Sequence, residues 1–237
     1  NNIGWGVYID GMELIYENAL ILAVDETNSS STVRSPSAYK YQDFVSTEQI
    51  KWNTVGFADE FCRTTFVDTN TNGVGLTIVN KSYGFEGELD KHYTIIEYEI
   101  ENTSGADIDS MYIGFLTDWN CVDASGPVYS NVYKANRAIW DNTNQLAYTF
   151  YLGSGSSTYG GTKLLTGQEV SYMSIDNGNP TASYYDGFTA DEIFNVLDKG
   201  IDSYQAGGGV GGENVSQVLG AKIKDFKIGV IETVAFA

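Results

Sequence analysis

Two neighbouring segments of the chain alternate between apolar and polar side chains with the period of two that a β-strand produces. In residues 93–101, Ile96, Tyr98 and Ile100 fall on one face, and glutamates occupy the positions between them. Residues 111–119 repeat the apolar alternation after a turn-forming segment at 102–105, so we predict an antiparallel hairpin. We further predict two stacked antiparallel sheets with a shared core that contains Ile96, Tyr98, Ile100, Ile113 and Phe115.

Other short apolar segments extend this pattern along the chain. Strands are predicted over residues 3–10, 13–24, 61–67, 75–83, 130–140, 145–152, 169–175 and 227–237. Turn-forming Gly, Asn and Ser cluster between them, as in a sandwich and unlike alternating βαβ units. Within 13–24, the polar pair Glu17 and Asn18 predicts a break in the strand.

One segment follows a helical pattern. Residues 189–199 have an apolar helical face, with Thr189 as a suitable N-cap and Gly200 as a stop. The predicted fold class is therefore all-β, a large antiparallel β-sandwich with one short helix near residues 189–199. We interpret residues 1–237 as a single domain, and expect a segment of a longer protein because the chain starts abruptly and ends within an apolar alternation.

The charge of the chain is strongly negative. The 31 acidic residues outnumber the 13 basic residues, which gives a formal net charge of −18. Such a charge repels phosphate backbones and anionic membrane surfaces, and this excludes nucleic acid as a partner. The longest apolar runs, such as residues 19–24, are too short to span a membrane, so no membrane insertion is expected.

A cation is the one cofactor that the composition suggests. The segment Asp68, Asn70 and Asn72 followed by Gly73 matches the first half of a calcium loop, in which alternate oxygens converge on the ion. Val79 stands where such a loop requires a bidentate glutamate. A hairpin turn built from Asn, Thr and Gly is the alternative interpretation of the same residues.

No catalytic motif is recognisable. A hydrolytic triad needs a histidine as base, and the only histidine is His92, between charged residues before a predicted strand. The glycine-rich residues 207–212 lack the Lys and Ser/Thr of a phosphate-binding loop. Acidic residues are abundant, but no pattern selects a pair for glycoside hydrolysis. We therefore predict that the chain is not an enzyme.

Three segments carry a resemblance to a known family: "GMELIYENALIL", "YTIIEYEIENTSGADIDSMYIGFLTDWN" and "NVSQVLGAKIKDFKIGVIETVAFA". Together they resemble a β-rich accessory region that follows the catalytic domain in some secreted subtilisin-like serine peptidases, proteins that are cargo of type IX secretion. The resemblance implies a non-catalytic region of an exported protein. The family has an aspartate after the tryptophan of the "DWN" stretch, and here that residue is Asn120.

Two modifications follow from an exported location. Because an exported protein with two cysteines usually pairs them, we predict a disulfide between Cys62 and Cys121. The triplet Asp109, Ser110 and Met111 resembles the O-glycosylation site of exported proteins in bacteria with type IX secretion. Ser110 is thus the candidate acceptor.

Three functions fit these observations. The first is an accessory or structural domain of a secreted or cell-surface protein, with neighbouring domains of the same polypeptide or like subunits as partners. The second is a carbohydrate-binding module with Trp5, Trp52, Trp119 or Trp140 stacking on a glycan. The third is a filament or adhesin subunit that assembles by strand addition. A row of exposed aromatic rings would favour the carbohydrate-binding module. A terminal strand that lies outside its own sheet would favour the filament or adhesin subunit.

Overall fold

The computed structural model describes residues 8–9, 12–37, 39–122, 132–153, 158–181 and 184–237. In chain order, the strands are β1 Tyr8–Ile9, β2 Met12–Glu13, β3 Ile15–Ala23, β4 Ser29–Ser31, β5 Phe44–Ser46, β6 Lys51–Val55, β7 Ala58–Asp68, β8 Leu76–Gly84, β9 Thr94–Asn102, β10 Ile108–Trp119, β11 Asn136–Asp141, β12 Leu146–Tyr151, β13 Tyr159–Thr162, β14 Glu169–Asp176, β15 Gln205–Ala206, β16 Val215–Phe226 and β17 Ile231–Phe236. A short 3₁₀ helix covers Val132–Ala135, and helix α1 covers Ala190–Asp198.

Five antiparallel strands form the central layer of the molecule in the order β14-β16-β10-β3-β4. β10 lies in the middle, where Ile113 has Ala221 of β16 and Leu22 of β3 as its register partners. Both faces of this sheet are covered, and β10 is accordingly buried almost without interruption from Met111 to Asp118. A strand buried on both faces tends to lose the polar alternation of a half-exposed strand.

A second sheet packs against one face of the central layer. Its order is β17-β9-β8-β7-β5, and β6 also pairs with β7. The core between the two sheets contains four of the five predicted residues, and the fifth, Ile96, is partly buried against them. The predicted all-β sandwich and its core are thus confirmed.

The hairpin predicted from residues 93–101 and 111–119 is wrong. β9 pairs with β8 and β17, whereas β10 pairs with β16 and β3, so the two strands face each other across the core. Asn102 directs the crossing, because its buried side-chain amide donates to the carbonyls of Ala106 and Phe226, each at 2.9 Å. Alternation identifies the buried face of each strand, but it leaves the hydrogen-bonded neighbour undetermined.

A third sheet, in the order β13-β12-β11-β15, packs on the same face of the central layer beside the second sheet. Trp140 of β11 stacks on Tyr172 of β14 with ring centroids 5.3 Å apart. Leu164, after β13, forms a bridge with Phe236 of β17, which joins the second and third sheets at their edges.

Helix α1 covers the other face of the central layer, and the predicted helix is confirmed. Its buried residues Ile193, Val196 and Leu197 pack against apolar side chains of β3, β10 and β16. Gly114 allows the close approach, since a Cβ atom there would lie 2.4 Å from Leu197 Cδ2. At the N-terminus, Thr189 N donates to the Glu192 carboxylate at 2.8 Å, as in a capping box.

The predicted break at Glu17 and Asn18 is wrong, because β3 continues through both residues. Glu17 is buried and pairs in register with Asp118. The register shifts directly after this pair, where Trp119 pairs with Ile15, so Tyr16 of β3 is the extra residue. Of the strand predicted over 3–10, only Tyr8–Ile9 falls within the described residues, where it forms β1.

Candidate functional site

A group of aromatic side chains lies on the face of the six-stranded sheet that points away from the core. It consists of Phe57, Phe61, Tyr83, Phe85 and Tyr93, and we name it the aromatic face. The ring centroids are 5.1 Å apart for Phe57 and Tyr83, 5.3 Å for Phe61 and Tyr83, and 5.2 Å for Phe85 and Tyr93. Such separations are typical of attractive ring pairs.

Strand alternation explains why these rings share one face. Tyr98 and Ile100 of β9 point into the core, so residues of the opposite parity point outward, and Tyr83 pairs in register with Phe61. Phe57 lies in the turn between β6 and β7. It is 67% exposed, Tyr93 is 41% exposed, and Tyr83 below them is buried. The aromatic face therefore has a rigid base and an accessible apolar top.

Carboxylates border the aromatic face. Glu97 and Glu99 lie on the same side of β9, and Lys81 Nζ of β8 is 2.9 and 2.7 Å from their Oε1 atoms. The hydroxyl of Tyr93 donates to Asp90 Oδ1 at 2.9 Å. One lysine thus serves two glutamates, and this border carries a negative charge next to apolar rings.

The predicted calcium loop closes the edge of strand β4. Asn70 Nδ2 donates to the carbonyl of Ser29 at 2.9 Å, and Ser29 N donates to the carbonyl of Asn72 at 3.1 Å. Asp68 Oδ2 accepts from Ser30 Oγ at 2.7 Å. Oxygen atoms that a metal ion would use are therefore engaged by neighbouring protein groups, as in the alternative interpretation of a structural turn.

Asn70 and Asn72 also line a cleft of about 220 Å³ together with Asp43, whereas Asp68 does not. Asp43 Oδ2 accepts from Ser31 N at 2.8 Å. Burial raises the pKa of Asp43, and the nearby carboxylate of Asp68 adds to the increase. Among the described residues, no three His, Cys, Asp or Glu side chains are placed to hold a metal ion together.

The predicted disulfide is wrong, because Cys62 and Cys121 are both free. Cys62 lies on β7 of the six-stranded sheet, between the register partners Trp52 and Ser82. Cys121 follows β10 and is fully buried, with Sγ donating to the carbonyl of Thr149 in the four-stranded sheet at 3.3 Å. The two thiols thus pack against different sheets.

The candidate glycosylation site lies within a strand. Ser110 is half-buried on β10, paired with Lys224 of β16, between the exposed Asp109 and the fully buried Met111. His92 lies in the exposed turn before β9. The structure does not bring His92 together with Asp68 or Ser110 in any described contact.

The tryptophans selected as glycan-stacking candidates are dispersed. Trp52 is 71% exposed but lies opposite Cys62, on the other side of the sheet from the aromatic face. Trp119 is half-buried and Trp140 is buried, and Trp5 lies outside the described residues. Sequence reasoning missed the Phe and Tyr residues of the aromatic face. A usable signal was the apolar character of Tyr83, Phe85, Tyr93 and Ile95 at positions that alternate with the core positions.

A second feature that sequence reasoning missed is a buried pair of carboxylates on the helix side of the central layer. Glu17 and Asp118 have 2% and 5% exposed side chains. Arg34 Nη1 lies 2.9 Å from Glu17 Oε2 and 3.8 Å from Asp118 Oδ2, and Arg34 Nη2 donates to Asn177 Oδ1 at 3.0 Å. The Arg34 guanidinium also lies over the ring of Phe188 at 5.6 Å.

This arrangement links segments that are distant in the chain. Arg34 precedes the exposed segment around Lys40, whose Nζ lies 3.5 Å from Glu17 Oε1. Burial raises the pKa of Asp118 to about 7, against the opposing effect of the Arg34 charge. Because Arg34 contacts both carboxylates, we interpret the group as a set of ion pairs that fixes Arg34 and Lys40 on the sheet.

A comparison with models of known protein families finds no match to this chain, and a comparison with curated proteins finds none either. No helix among the described residues is long and apolar enough to cross a membrane.

Proposed function

We propose that this chain is a non-catalytic accessory domain of an exported bacterial surface or secreted protein, and that it docks on a neighbouring domain of the same polypeptide through the aromatic face. The observation that carries the proposal is the exposure of Phe57 and Tyr93 next to further aromatic rings on the outer face of the six-stranded sheet. The helix side of the central layer, by contrast, is already covered by α1 and by Val33, Arg34 and Tyr41.

The size of the aromatic face suits a contact between domains. An aromatic side chain buries roughly 150–250 Å², and domain interfaces within one chain bury roughly 600–1,500 Å². The exposed parts of Phe57 and Tyr93 would form the centre of such an interface, and neighbouring residues of the same sheet face would complete it. The half-buried Phe61 and Phe85 give support to the exposed rings, so little side-chain freedom is lost on docking.

The border favours a partner surface with basic groups. Within the part of the chain that the structure describes, Glu97 and Glu99 share one cation, Lys81, so an arginine or lysine of the partner would meet partly compensated carboxylates beside aromatic rings. A cation in this position gains both from charge pairing and from contact with a ring face.

The test compares the melting temperature of the isolated chain with that of the same domain in its full-length polypeptide. Docking should raise the melting temperature in the full-length protein, because binding to the native state stabilises it. The double variant Phe57→Ser, Tyr93→Ser should abolish this gain. The isolated variant loses the ring contacts and the Tyr93–Asp90 hydrogen bond, so the gain is calculated for each variant as the difference between its full-length and isolated melting temperatures.

The matched control is Tyr39→Ser, Tyr204→Ser, which removes two exposed rings elsewhere on the surface. This control should retain the full gain. An equal gain in wild type and in the Phe57, Tyr93 variant would contradict docking through the aromatic face. For the non-catalytic part, His92→Ala should leave any turnover of the full-length protein unchanged, and a loss beyond about tenfold would contradict it.

The second candidate function is carbohydrate binding at the same face. Exposed rings over a rigid base can stack on the apolar face of a sugar, and Asp90 next to Tyr93 offers a hydrogen-bond acceptor for hydroxyl groups. The test is co-sedimentation of the isolated chain with insoluble cellulose, chitin and peptidoglycan. Binding that is lost in Phe57→Ser, Tyr93→Ser and retained in the control variant would favour this candidate over domain docking.

The filament hypothesis receives no comparable support. Terminal strand β17 belongs to its own sheet, paired with β9 from Ile231 to Phe236. Its other edge bonds to residues 163–168, since the backbones of Lys163 and Ala237 exchange two hydrogen bonds.

A further inference from the structure

The cleft of about 220 Å³ lies at the edge of the central layer, between strand β4, helix α1 and the turn that joins β7 to β8. It is separate from the aromatic face, because Phe61 and Asp68 lie toward opposite ends of β7, roughly 20 Å apart along the strand. One wall of the cleft is polar and the other is apolar. The lining residues are Thr27, Ser29, Tyr41, Asp43, Asn70, Asn72, Ala190 and Ile193.

The polar wall contains a carboxylate that the fold leaves without a counter-ion. Asp43 is half-buried, and its Oδ2 accepts a hydrogen bond from Ser31 N at 2.8 Å, which fixes the carboxylate in place. The ion pairs of the described residues involve neither Asp43 nor the nearby Asp68. Because a half-buried charge without a counter-ion is unfavourable, a cation in the cleft would stabilise this carboxylate.

The remainder of the polar wall is preformed by hydrogen bonds between β4 and the β7–β8 turn. Asn70 Nδ2 donates to the carbonyl of Ser29 at 2.9 Å, and Ser29 N donates to the carbonyl of Asn72 at 3.1 Å. These bonds hold hydroxyl and amide side chains beside Asp43 before any ligand arrives. A ligand would therefore order few side chains on binding, which favours affinity.

The apolar wall comes mainly from the first turn of helix α1. Ala190 and Ile193 are three residues apart, so they lie on the same side of the helix. Tyr41 adds an aromatic ring, and its hydroxyl is fixed by donation to the carbonyl of Phe188 at 2.9 Å. An alkyl chain can contact such a wall while its charged end reaches polar groups.

A metal ion matches this cleft less well than an organic cation does. Calcium takes roughly six to eight oxygen ligands, and Asp43 is the one carboxylate among the lining residues that the structure describes. Asn70 Oδ1 already accepts from Asn72 N at 3.2 Å, and Ala190 and Ile193 offer no side-chain oxygen. An anionic ligand is disfavoured by the net charge of −18.

We propose that this cleft binds an aliphatic cation, an alkyl chain that ends in a primary ammonium or guanidinium group. The charged end pairs with Asp43 and forms hydrogen bonds with the polar wall, and the methylene groups contact Ala190 and Ile193. A lysine or arginine side chain of another protein and a free alkylamine share this chemistry. The site is independent of docking through the aromatic face.

The test is an NMR titration of the chain, followed through the backbone amides of Ser31 and Ala190. The probes are N-acetyl-lysine amide, N-acetyl-arginine amide and n-pentylammonium, and we expect saturable shifts with a dissociation constant of about 1 mM. The neutral N-acetyl-norleucine amide should bind at least about tenfold more weakly, because it lacks the charged donor. Tighter binding of the two blocked amino acids than of n-pentylammonium identifies a protein side chain as the ligand, and the reverse order identifies a free amine.

Two variants remove different parts of the site. Asp43→Asn keeps an acceptor for Ser31 N but removes the charge, so it should weaken binding of the lysine derivative by about 10- to 100-fold. Ala190→Leu fills the cleft from the helix without a change in charge and should also weaken binding. The matched control, Asp141→Asn in the four-stranded sheet, removes the same charge away from the cleft and should leave the affinity within about twofold.

Three results would overturn the proposal. The first is the absence of saturable shifts with all three cations. The second is equal affinity of the lysine and norleucine derivatives, or of the wild type and Asp43→Asn, since the carboxylate would then play no part. The third is a response of the same amides to calcium chloride but to none of the organic cations, which would identify the cleft as a metal site.

Discussion

Asp118 lies at the end of β10 with one carboxylate oxygen, Oδ1, that has no hydrogen-bond partner among the described residues. Its other oxygen accepts weakly from Asn177 Nδ2 at 3.4 Å and lies 3.8 Å from Arg34. Because Arg34 bonds more closely to Glu17, the charge of Asp118 is only partly compensated. Burial therefore dominates, and the pKa of Asp118 rises to about 7.

This raised pKa predicts a specific dependence of stability on pH. Between the ordinary pKa of 3.8 and about 7, the folded protein holds a proton on Asp118 that the unfolded chain releases, so this group destabilises the fold as the pH rises. Asp118→Asn mimics the protonated form. We expect the difference between the melting temperature of the variant and that of the wild type to increase from pH 4 to pH 8, as measured by thermal melts.

A control with the opposite sign makes this prediction sharper. Hydrogen bonding from Ile228 N and Lys227 lowers the pKa of the exposed Asp107, so its contribution to stability is present above pH 4 and is lost at lower pH. The melting temperature of Asp107→Asn should therefore decrease relative to that of the wild type as the pH rises. Parallel curves for wild type and Asp118→Asn would show that the pKa of Asp118 is not raised.

The two thiols differ in reactivity for a related reason. Burial raises the pKa of Cys121 to about 12 and also raises that of the half-exposed Cys62. Since only an accessible thiolate reacts, iodoacetamide should label Cys62 in the native protein and Cys121 only after unfolding. Mass spectrometry of the alkylated protein measures this order. If neither cysteine is labelled and the intact mass is two hydrogens lower than that of the reduced chain, the two cysteines form a disulfide instead.

At the scale of elements, the turn between β7 and β8 either binds a metal ion or only stabilises the edge of strand β4, and a substitution can distinguish the two. Asp68 accepts hydrogen bonds from Ser30 Oγ, Gly75 N and Asn70 N, so Asp68→Ala should destabilise the protein by about 2 kcal/mol. If the turn only closes β4, the loss is the same with calcium and with chelator. A melting temperature that calcium raises in the wild type but not in Asp68→Ala would support calcium binding.

The sequence was informative wherever one face of an element meets solvent. The alternation of Ile96, Tyr98 and Ile100 predicted both a strand and its buried side, and Thr189 with Gly200 predicted the ends of α1. β16 was not predicted, although it is an inner strand of the central layer, between β14 and β10. Its residues from Val215 to Ala221 are buried on both faces, so no alternation marks the strand. The polar Ser216 and Gln217 are buried as well, and they interrupt the apolar pattern in the sequence.

The functional surfaces were less accessible to sequence reasoning than the fold. The rings of the aromatic face come from β7, β8 and the residues that flank β7, β8 and β9, and no local spacing shows that Phe57 and Tyr83 meet. The proximity of Glu17 and Asp118 could not be predicted either, because it depends on the pairing of β3 with β10. Pairing between strands is a long-range property, whereas hydrophobic periodicity is a local one.

At the scale of the whole molecule, the sheets differ in how much of their surface the rest of the fold covers. The central layer is covered on both faces, whereas the outer face of the six-stranded sheet carries the exposed Phe57 and Tyr93. Negative charge is spread over the entire chain, since 31 acidic residues face 13 basic ones. Many of the basic residues are already engaged with a carboxylate, so an excess of unpaired negative charge remains.

This excess predicts how the fold responds to salt. Repulsion between like charges opposes compaction, and added salt reduces it because the screening length falls from about 30 Å at 0.01 M to about 10 Å at 0.1 M. Salt also weakens exposed ion pairs such as Lys224–Glu169, but such pairs contribute little. At pH 7 the melting temperature should therefore rise between 0.01 and 0.1 M sodium chloride.

The same measurement near pH 4.2, where the net charge is close to zero, provides the control. There the repulsion is absent, and screening acts mainly on the remaining ion pairs, so the melting temperature should stay level or fall with salt. A rise of equal size at both pH values would indicate a general salt effect on hydration instead of charge screening. A fall at pH 7 would mean that ion pairs such as Arg34–Glu17 outweigh the repulsion between the surplus carboxylates.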